Sequence, residues 1–159
     1  MGEYTMREMR RKELKIDEQE AISILTKGEY GILSTIDEHG QLYGFPLNYA
    51  YHDRCIYFHA AQMGHKIDNI VFNDRVSFCV VGKTKVIPEQ FTSKYESVIC
   101  FGKASLIEEE EDKKKGLNGL IEKYSPDYLN AGKKAIERSL KNVAVIKIEI
   151  ERISGKASK

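Results

Sequence analysis

Hydrophobic and polar residues alternate along several short stretches of the chain, and this two-residue period predicts β-strands. The alternation is clearest near the C-terminus, where Ala144, Ile146, Ile148 and Ile150 share one face and charged residues share the other. A glycine at position 102 interrupts a long alternating stretch, which is typical of a strand that bends in a barrel. The predicted strands cover residues 30–35, 42–51, 55–61, 75–81, 95–107 and 143–153.

The second predicted strand, residues 42–51, has two contrasting faces. One face carries the large side chains of Phe45, Leu47, Tyr49 and Tyr51, and the other carries Gly44, Pro46, Asn48 and Ala50. The small residues leave a flat surface on which a planar molecule would fit. The alternative is an ordinary edge strand with a bulge at Pro46.

Apolar residues at helical spacing predict the helices. Asp17 and Glu20 form a capping pair for a first helix that ends before Gly28, and a second helix follows Gly64. Residues 108–141 predict a helical hairpin before the last strand.

The acidic and basic residues that open this hairpin are offset by four positions, which predicts a solvated helix face. The predicted pairs are Glu109 with Lys113, Glu110 with Lys114 and Glu111 with Lys115. About six strands joined mostly as hairpins indicate a mainly β fold, an antiparallel barrel with peripheral helices. We expect one domain over residues 1–159, with residues 1–15 as an N-terminal arm.

Composition and charge argue against several classes of protein. The net charge of +1, from 25 basic and 24 acidic residues, argues against a nucleic-acid partner. No apolar run approaches the length of a membrane span and the N-terminus lacks the features of a signal peptide, so we expect a cytoplasmic protein without a membrane partner. Cys55, Cys79 and Cys100 lie in apolar runs without metal-binding spacing, so we expect buried, reduced thiols and no metal.

Several candidate functional residues lie where the third predicted strand ends and the second predicted helix begins, in the sequence FHAAQMGHKIDNI (residues 58–70). Gly64 allows an unusual backbone conformation, and a helix N-terminus supplies unpaired amide donors with a partial positive charge. Lys66 adds a full positive charge, and the imidazoles of His59 and His65 add hydrogen-bond donors. The residues together predict an anion site suited to a phosphate monoester. The alternative is an exposed lysine and a histidine that only caps a strand end.

Ser97 interrupts the apolar pattern of the fifth predicted strand and is a second candidate. Its hydroxyl would donate to a phosphate or to a ring carbonyl, or it is simply a half-exposed serine. The chain lacks the glycine-rich phosphate loops, the HExxH zinc motif and the GxSxG hydrolase elbow, which excludes the enzyme classes built on them.

Four segments, in this order and spacing, resemble the pyridoxamine 5′-phosphate oxidase-like split β-barrel flavoproteins, and in particular their 5-nitroimidazole resistance-related branch. The segments are YGILSTIDEHGQLYGFPLNYAY, IYFHAAQMGHKIDNI, YESVICFGKASLI and VAVIKIEIERISGKA. The resemblance implies a six-stranded antiparallel split β-barrel that forms a homodimer, with FMN in grooves shared by the two subunits.

The resemblance also implies which residues hold the cofactor. Pro46, Leu47 and Asn48 would lie along the flavin ring, followed by His59, Ala60 and Ala61. Gly64, His65 and Lys66 would hold the phosphate, and Ser97 and Val98 would lie near the cofactor in one subunit or the other. Many relatives have another residue, often arginine, at the position of His65. Members of the family bind FMN, deazaflavin or haem, and FMN is the cofactor that we expect.

The leading hypothesis from the sequence is an FMN-dependent oxidoreductase that takes electrons from a small donor and passes them to a small acceptor such as a nitroaromatic. His59 is the candidate catalytic residue, as a proton donor or as a group that positions the acceptor. The alternative is a non-catalytic flavin- or haem-binding protein that stores or senses its ligand. A single-stranded nucleic-acid module is a third hypothesis, which the balanced charge disfavours.

Overall fold

The computed structural model describes residues 7–158, so residues 1–6 of the predicted N-terminal arm lie outside the described residues. The strands are β1 (Gly31–Ile36), β2 (Leu42–Leu47), β3 (Ala50–His52), β4 (Cys55–Ala60), β5 (Arg75–Ile87), β6 (Thr92–Leu106) and β7 (Ala144–Ser158). The helices are α1 (Glu18–Lys27), α2 (His65–Phe72), α3 (Glu110–Tyr124) and α4 (Leu129–Ser139), with short 3₁₀ helices at Lys12–Leu14, Pro88–Gln90 and Pro126–Tyr128.

All seven strands form one antiparallel sheet in the order β2-β1-β5-β6-β7-β4-β3. The edge strands β2 and β3 are consecutive in the chain, so the sheet must curl until its two edges approach each other. It does not close into a barrel. β2 pairs with β1 and β3 pairs with β4, and the two edge strands do not pair with each other. The predicted mainly β, split-barrel class is therefore confirmed, with seven strands where six were expected.

The additional strand arises because the predicted strand 42–51 breaks after Leu47. The hydroxyl of Tyr124, from α3, accepts a hydrogen bond from the Tyr49 amide (3.0 Å) and donates to the carbonyl of Glu29 (2.6 Å). It also lies 3.0 Å from the Tyr49 carbonyl. A side chain thus satisfies the backbone groups of Tyr49 that a continuous ladder would otherwise pair.

Two apolar clusters hold the fold together. The larger lies inside the curled sheet and includes Leu25 of α1, Phe58 of β4 and Phe78 of β5, each almost completely buried. The smaller lies between the helical hairpin and the outer side of the sheet, and it includes Leu117, Ile136, Leu140 and Val145. Each fully buried side chain of this size contributes about 1.5–3 kcal/mol to folding.

Several sequence predictions are tested directly by the helices. Asp17 accepts a hydrogen bond from the Glu20 amide at 2.8 Å, and α1 ends at Lys27 before Gly28, as predicted. The three predicted pairs, Glu109 with Lys113, Glu110 with Lys114 and Glu111 with Lys115, are wrong. Lys113 turns inward and donates to the carbonyls of Leu140 (3.4 Å) and Val143 (3.1 Å) beyond the end of α4, while Lys114 pairs with Glu111 at 3.0 Å.

The prediction of three buried cysteines is correct for Cys100 and wrong for the other two. Cys100 faces the core, and burial raises the pKa of its thiol to about 12. Cys55 and Cys79 are only partly buried. Cys79 faces the outer side of the sheet beside Ile32 and Ile99. Within residues 7–158, no helix is long and apolar enough to cross a membrane.

Candidate functional site

The predicted anion corner forms where β4 ends and α2 begins. Gly64 lies immediately before α2 and has a φ of +123°, a backbone conformation that residues other than glycine rarely adopt. Its carbonyl oxygen accepts hydrogen bonds from the backbone amides of Ile67 (2.9 Å) and Asp68 (3.1 Å). The amides of His65 and Lys66 find no acceptor among the described residues, so the first turn of α2 presents free donors to solvent.

Two aromatic side chains of β2 contact His65 and Lys66. The His65 ring stacks on Tyr43 with 4.2 Å between ring centroids, and the Lys66 ammonium lies 4.7 Å from the centroid of the Phe45 ring. Lys66 is partly buried, and no carboxylate in the described chain lies within ion-pair distance of it. These contacts join the start of α2 to β2 and leave the Lys66 charge without a counter-ion.

The three β2 candidates lie next to this corner but have different exposures. Pro46 is exposed on the outer face of the sheet, Leu47 is partly buried, and Asn48 is exposed. The Asn48 side-chain amide donates to the Glu29 carbonyl at 2.9 Å. Ala50 is buried beneath α3, so the flat face predicted from Gly44 to Ala50 extends only as far as the break after Leu47.

The β4 candidates are open to a ligand. His59 and Ala61 are exposed and Ala60 is partly buried, whereas Phe58 points into the core. The β3–β4 register pairs Ala50 with Tyr57, and its continuation would set Asn48 opposite His59. The ladder stops two residues before that position, so Asn48 and His59 flank the gap in the sheet instead of pairing.

Ser97 and Val98 are not brought to the corner within one chain. Ser97 is partly buried on the outer face of β6, and three strand spacings across the sheet separate β6 from β2. Val98 is fully buried in the core, so only its backbone would be available to a ligand. Pro46, Ile32, Cys79 and Ile99 follow one line across the outer face, and Ser97 lies on that same face.

The structure adds a cavity that the sequence patterns did not indicate. It has a volume of about 540 Å³ and lies between α3 and the β3–β4 hairpin. Gly116 lets α3 approach closely here, because an added Cβ would lie 3.0 Å from Tyr57. The lining residues include Tyr51, His52, Tyr57, Lys115, Asn118 and Lys123.

Lys123 is the unusual group of this cavity. Its ammonium lies 3.7 Å from the centroid of the Tyr49 ring and 5.2 Å from that of Tyr124, and it has no hydrogen-bond partner among residues 7–158. Burial lowers the pKa of Lys123 to about 8, because the charged form loses water. Sequence reasoning missed Lys123 because a lysine in a charged helix is usually solvated, and only the packing of α3 on Tyr49 buries its end.

The corner fits a phosphate monoester. Its free amides and unpaired Lys66 supply donors and positive charge, and the exposed Pro46 surface beside it has room for a flat ring. Residues 7–158 contain no group of three or more histidine, cysteine or acidic side chains placed to hold a metal ion.

Known structures share this fold. A proposed 5-nitroimidazole antibiotic resistance protein from Bacteroides thetaiotaomicron is 25% identical with a TM-score of 0.77, over 92% of this chain and 90% of that one. An FAD-binding protein from Mesorhizobium loti is 23% identical with a TM-score of 0.64, over 91% and 97% of the two chains. A flavocytochrome from Azotobacter vinelandii is 18% identical with a TM-score of 0.79, over 95% and 72%.

No curated protein matches the chain. The model of one protein family does match, and it covers residues 17–157, which include every candidate residue described above. The chain therefore belongs to the pyridoxamine 5′-phosphate oxidase family.

Proposed function

We propose that the chain is an FMN-binding oxidoreductase that passes electrons from reduced flavin to a small acceptor such as a nitroaromatic. The observation that carries the proposal is the corner at the start of α2, where Lys66 lies 4.7 Å from the Phe45 ring without a counter-ion. Lys66 and the free amides of the first turn would hold the phosphate, with Gly64 keeping the backbone clear of it. The FAD-binding and flavocytochrome neighbours support a flavin in this fold.

The ring would lie on the outer face beside Pro46 and Leu47, with Asn48, His59, Ala60 and Ala61 at the gap between β2 and β4. When bound, FMN would supply the transfer of one or two electrons. The protein would bind the phosphate, orient the ring and hold a proton donor. His59 is the candidate donor, because its exposed imidazole flanks the gap.

The cavity beneath α3 is the proposed binding site for the acceptor. Tyr57 lines it and lies two residues before His59 on the same face of β4, which places the two Cα atoms about 7 Å apart. A cavity of about 540 Å³ with aromatic and polar walls is suited to a small aromatic molecule.

The proposal also includes a homodimer. The outer face of β1, β5 and β6 exposes Val81 (58%) and Ile99 (39%) beside the partly buried Ile32 and Cys79. A contiguous apolar face of this kind favours a protein partner. A second subunit packed here would bring its own Ser97 close to the Pro46 surface of the first.

The absorption spectrum of the purified protein, with mass identification of the released ligand, tests the cofactor. An oxidised-flavin spectrum and the mass of FMN are the expected results. A Soret band would favour the alternative of a haem-binding storage or sensor protein, which the flavocytochrome neighbour motivates. A colourless protein that takes up neither ligand would contradict both.

Steady-state oxidation of a reduced nicotinamide with a nitroaromatic acceptor tests turnover. We expect activity in the FMN-loaded protein and a large loss of kcat in His59→Asn at saturating FMN. An FMN-loaded protein without turnover, over a range of donors and acceptors, would instead indicate a flavin-binding protein that stores or senses its ligand.

A further inference from the structure

A two-stranded ribbon projects from the sheet where β5 turns into β6. Pairing with β1 reaches only Cys79 of β5, and pairing with β7 begins at Tyr95 of β6. Residues 84–94, which we call the ribbon, therefore pair only with each other, beyond an irregularity between Val81 and Thr84. A two-stranded ribbon has little stability of its own in water, so an uncovered one is expected to pack against something.

The ribbon exposes apolar side chains that nothing in the described chain covers. Val86 is 69% exposed, and Phe91 at the tip is 97% exposed and held in a left-handed conformation with φ +50°. The apolar outer face, with Val81 and Ile99, leads directly into the ribbon along the same two strands. Exposed apolar side chains therefore recur from the sheet to the tip, with Ser97 and Thr84 between them.

The ribbon also carries Lys85 and Lys94, and its one acidic residue, Glu89, lies at the tip. Lys85 and Lys94 are directly opposite each other in the β5–β6 ladder, an arrangement that destabilises an isolated ribbon. Lys83 lies beside them, and none of the three forms an ion pair among residues 7–158. The nearby Glu96 carboxylate accepts the Lys83 backbone amide at 3.0 Å.

The complementary surface exists elsewhere on the same chain. Five exposed carboxylates run from Glu108 to Asp112 at the start of α3, and within the described residues only Glu111 has an ion-pair partner. Both surfaces occur on every copy, so two copies related by a two-fold axis would satisfy both at once.

We infer that the ribbon is an arm that grips a second copy of this chain, with Lys83, Lys85 and Lys94 facing the partner's acidic segment 108–112 and Phe91 buried against the partner. The inference rests on the dimer contained in the proposed function. It adds which segments of the two copies meet.

Charge reversal tests this inference in the full chain. The triple variant Lys83→Glu, Lys85→Glu, Lys94→Glu should weaken dimerisation at low salt about tenfold or more, as measured by sedimentation equilibrium. Mixing it with Glu108→Lys, Glu109→Lys, Glu110→Lys should restore a mixed dimer. Phe91→Ser should weaken the dimer without altering its salt dependence. Lys133→Glu, Lys134→Glu, Lys141→Glu, on and just after α4, is the matched control and should leave the dimer unchanged.

Circular dichroism of each variant confirms that it is folded. Unchanged dimerisation in the ribbon variants, a failure of the two triples to combine, or a monomeric parent would overturn the inference. A monomer whose ribbon lysines instead bind DNA would also overturn it. A dimer that obeys the charge swap but binds no flavin would leave the arm standing and contradict the flavin proposal.

Discussion

Lys123 shows how one side chain acquires an unusual property from its surroundings. A lysine ammonium is normally solvated, but here it lies against the Tyr49 ring without a hydrogen-bond partner in the described part of the chain, and burial lowers its pKa to about 8. Below pH 8 the group is charged in both the folded and the unfolded state, so folding pays the full desolvation penalty. As the pH rises from about 8 toward the unfolded pKa of 10.5, the folded protein sheds the proton first and its stability increases.

Lys123→Met should therefore stabilise the protein at pH 7, by about 1 kcal/mol after allowance for solvent around the lysine stem and for the lost ring contact. The advantage over the parent should shrink between pH 8 and pH 10. Urea denaturation of both proteins across this range is the measurement. A difference that does not change with pH would show that Lys123 is not desolvated in the folded state.

Some residues of the candidate site could be predicted from the sequence, and others could not. Gly64, His65 and Lys66 are adjacent in the chain, so their convergence at a helix start followed from local rules. Their contacts with Tyr43 and Phe45 came only with the fold. Val98 was carried over with Ser97 by resemblance, yet strand alternation buries it.

At the scale of elements, the break between β2 and β3 determines where the sheet opens. Periodicity predicted one strand over residues 42–51, because the alternation continues through Asn48 and Tyr49. The break depends on the hydroxyl of Tyr124, which is 75 residues away in the chain. The ribbon was missed for a different reason, since Gly82, Pro88 and several lysines end the apolar alternation after Val81.

Tyr124→Phe tests the role of that hydroxyl. The variant keeps the ring but leaves the Tyr49 amide without its partner and removes one of the two donors to the Glu29 carbonyl, since the Asn48 side chain still donates to it. We expect a loss of about 1–3 kcal/mol in the free energy of unfolding. Tyr128→Phe, whose ring is exposed, is the matched control. Equal stabilities of the two variants would show that water replaces the hydroxyl without cost.

In the whole molecule, the proposed cofactor groove requires a second subunit. Ser97 lies three strands from Pro46 within one chain, and the outer face between them is apolar and uncovered. A shared site would explain both features, since the same contact that covers Ile99 and Val81 would complete the cofactor groove.

Ile99→Asp places a charge in the middle of this outer face and should produce a monomer with greatly weakened FMN binding. Light scattering and flavin fluorescence on the same sample give the two results together. Leu129→Asp, an exposed apolar position on α4, should remain dimeric and keep its flavin. Full FMN affinity in a verified Ile99→Asp monomer would contradict the shared groove.

The corner at the start of α2 is proposed to bind the phosphate of FMN, and titration of flavin-free protein with FMN and with riboflavin is the decisive experiment. Lys66→Ala should weaken FMN binding by about tenfold to a hundredfold, because a charge-assisted contact to the phosphate is lost. Riboflavin binding should be unchanged, since riboflavin has no phosphate, and Lys133→Ala should affect neither ligand. Equal losses for FMN and riboflavin in Lys66→Ala, or no loss for either, would contradict the account.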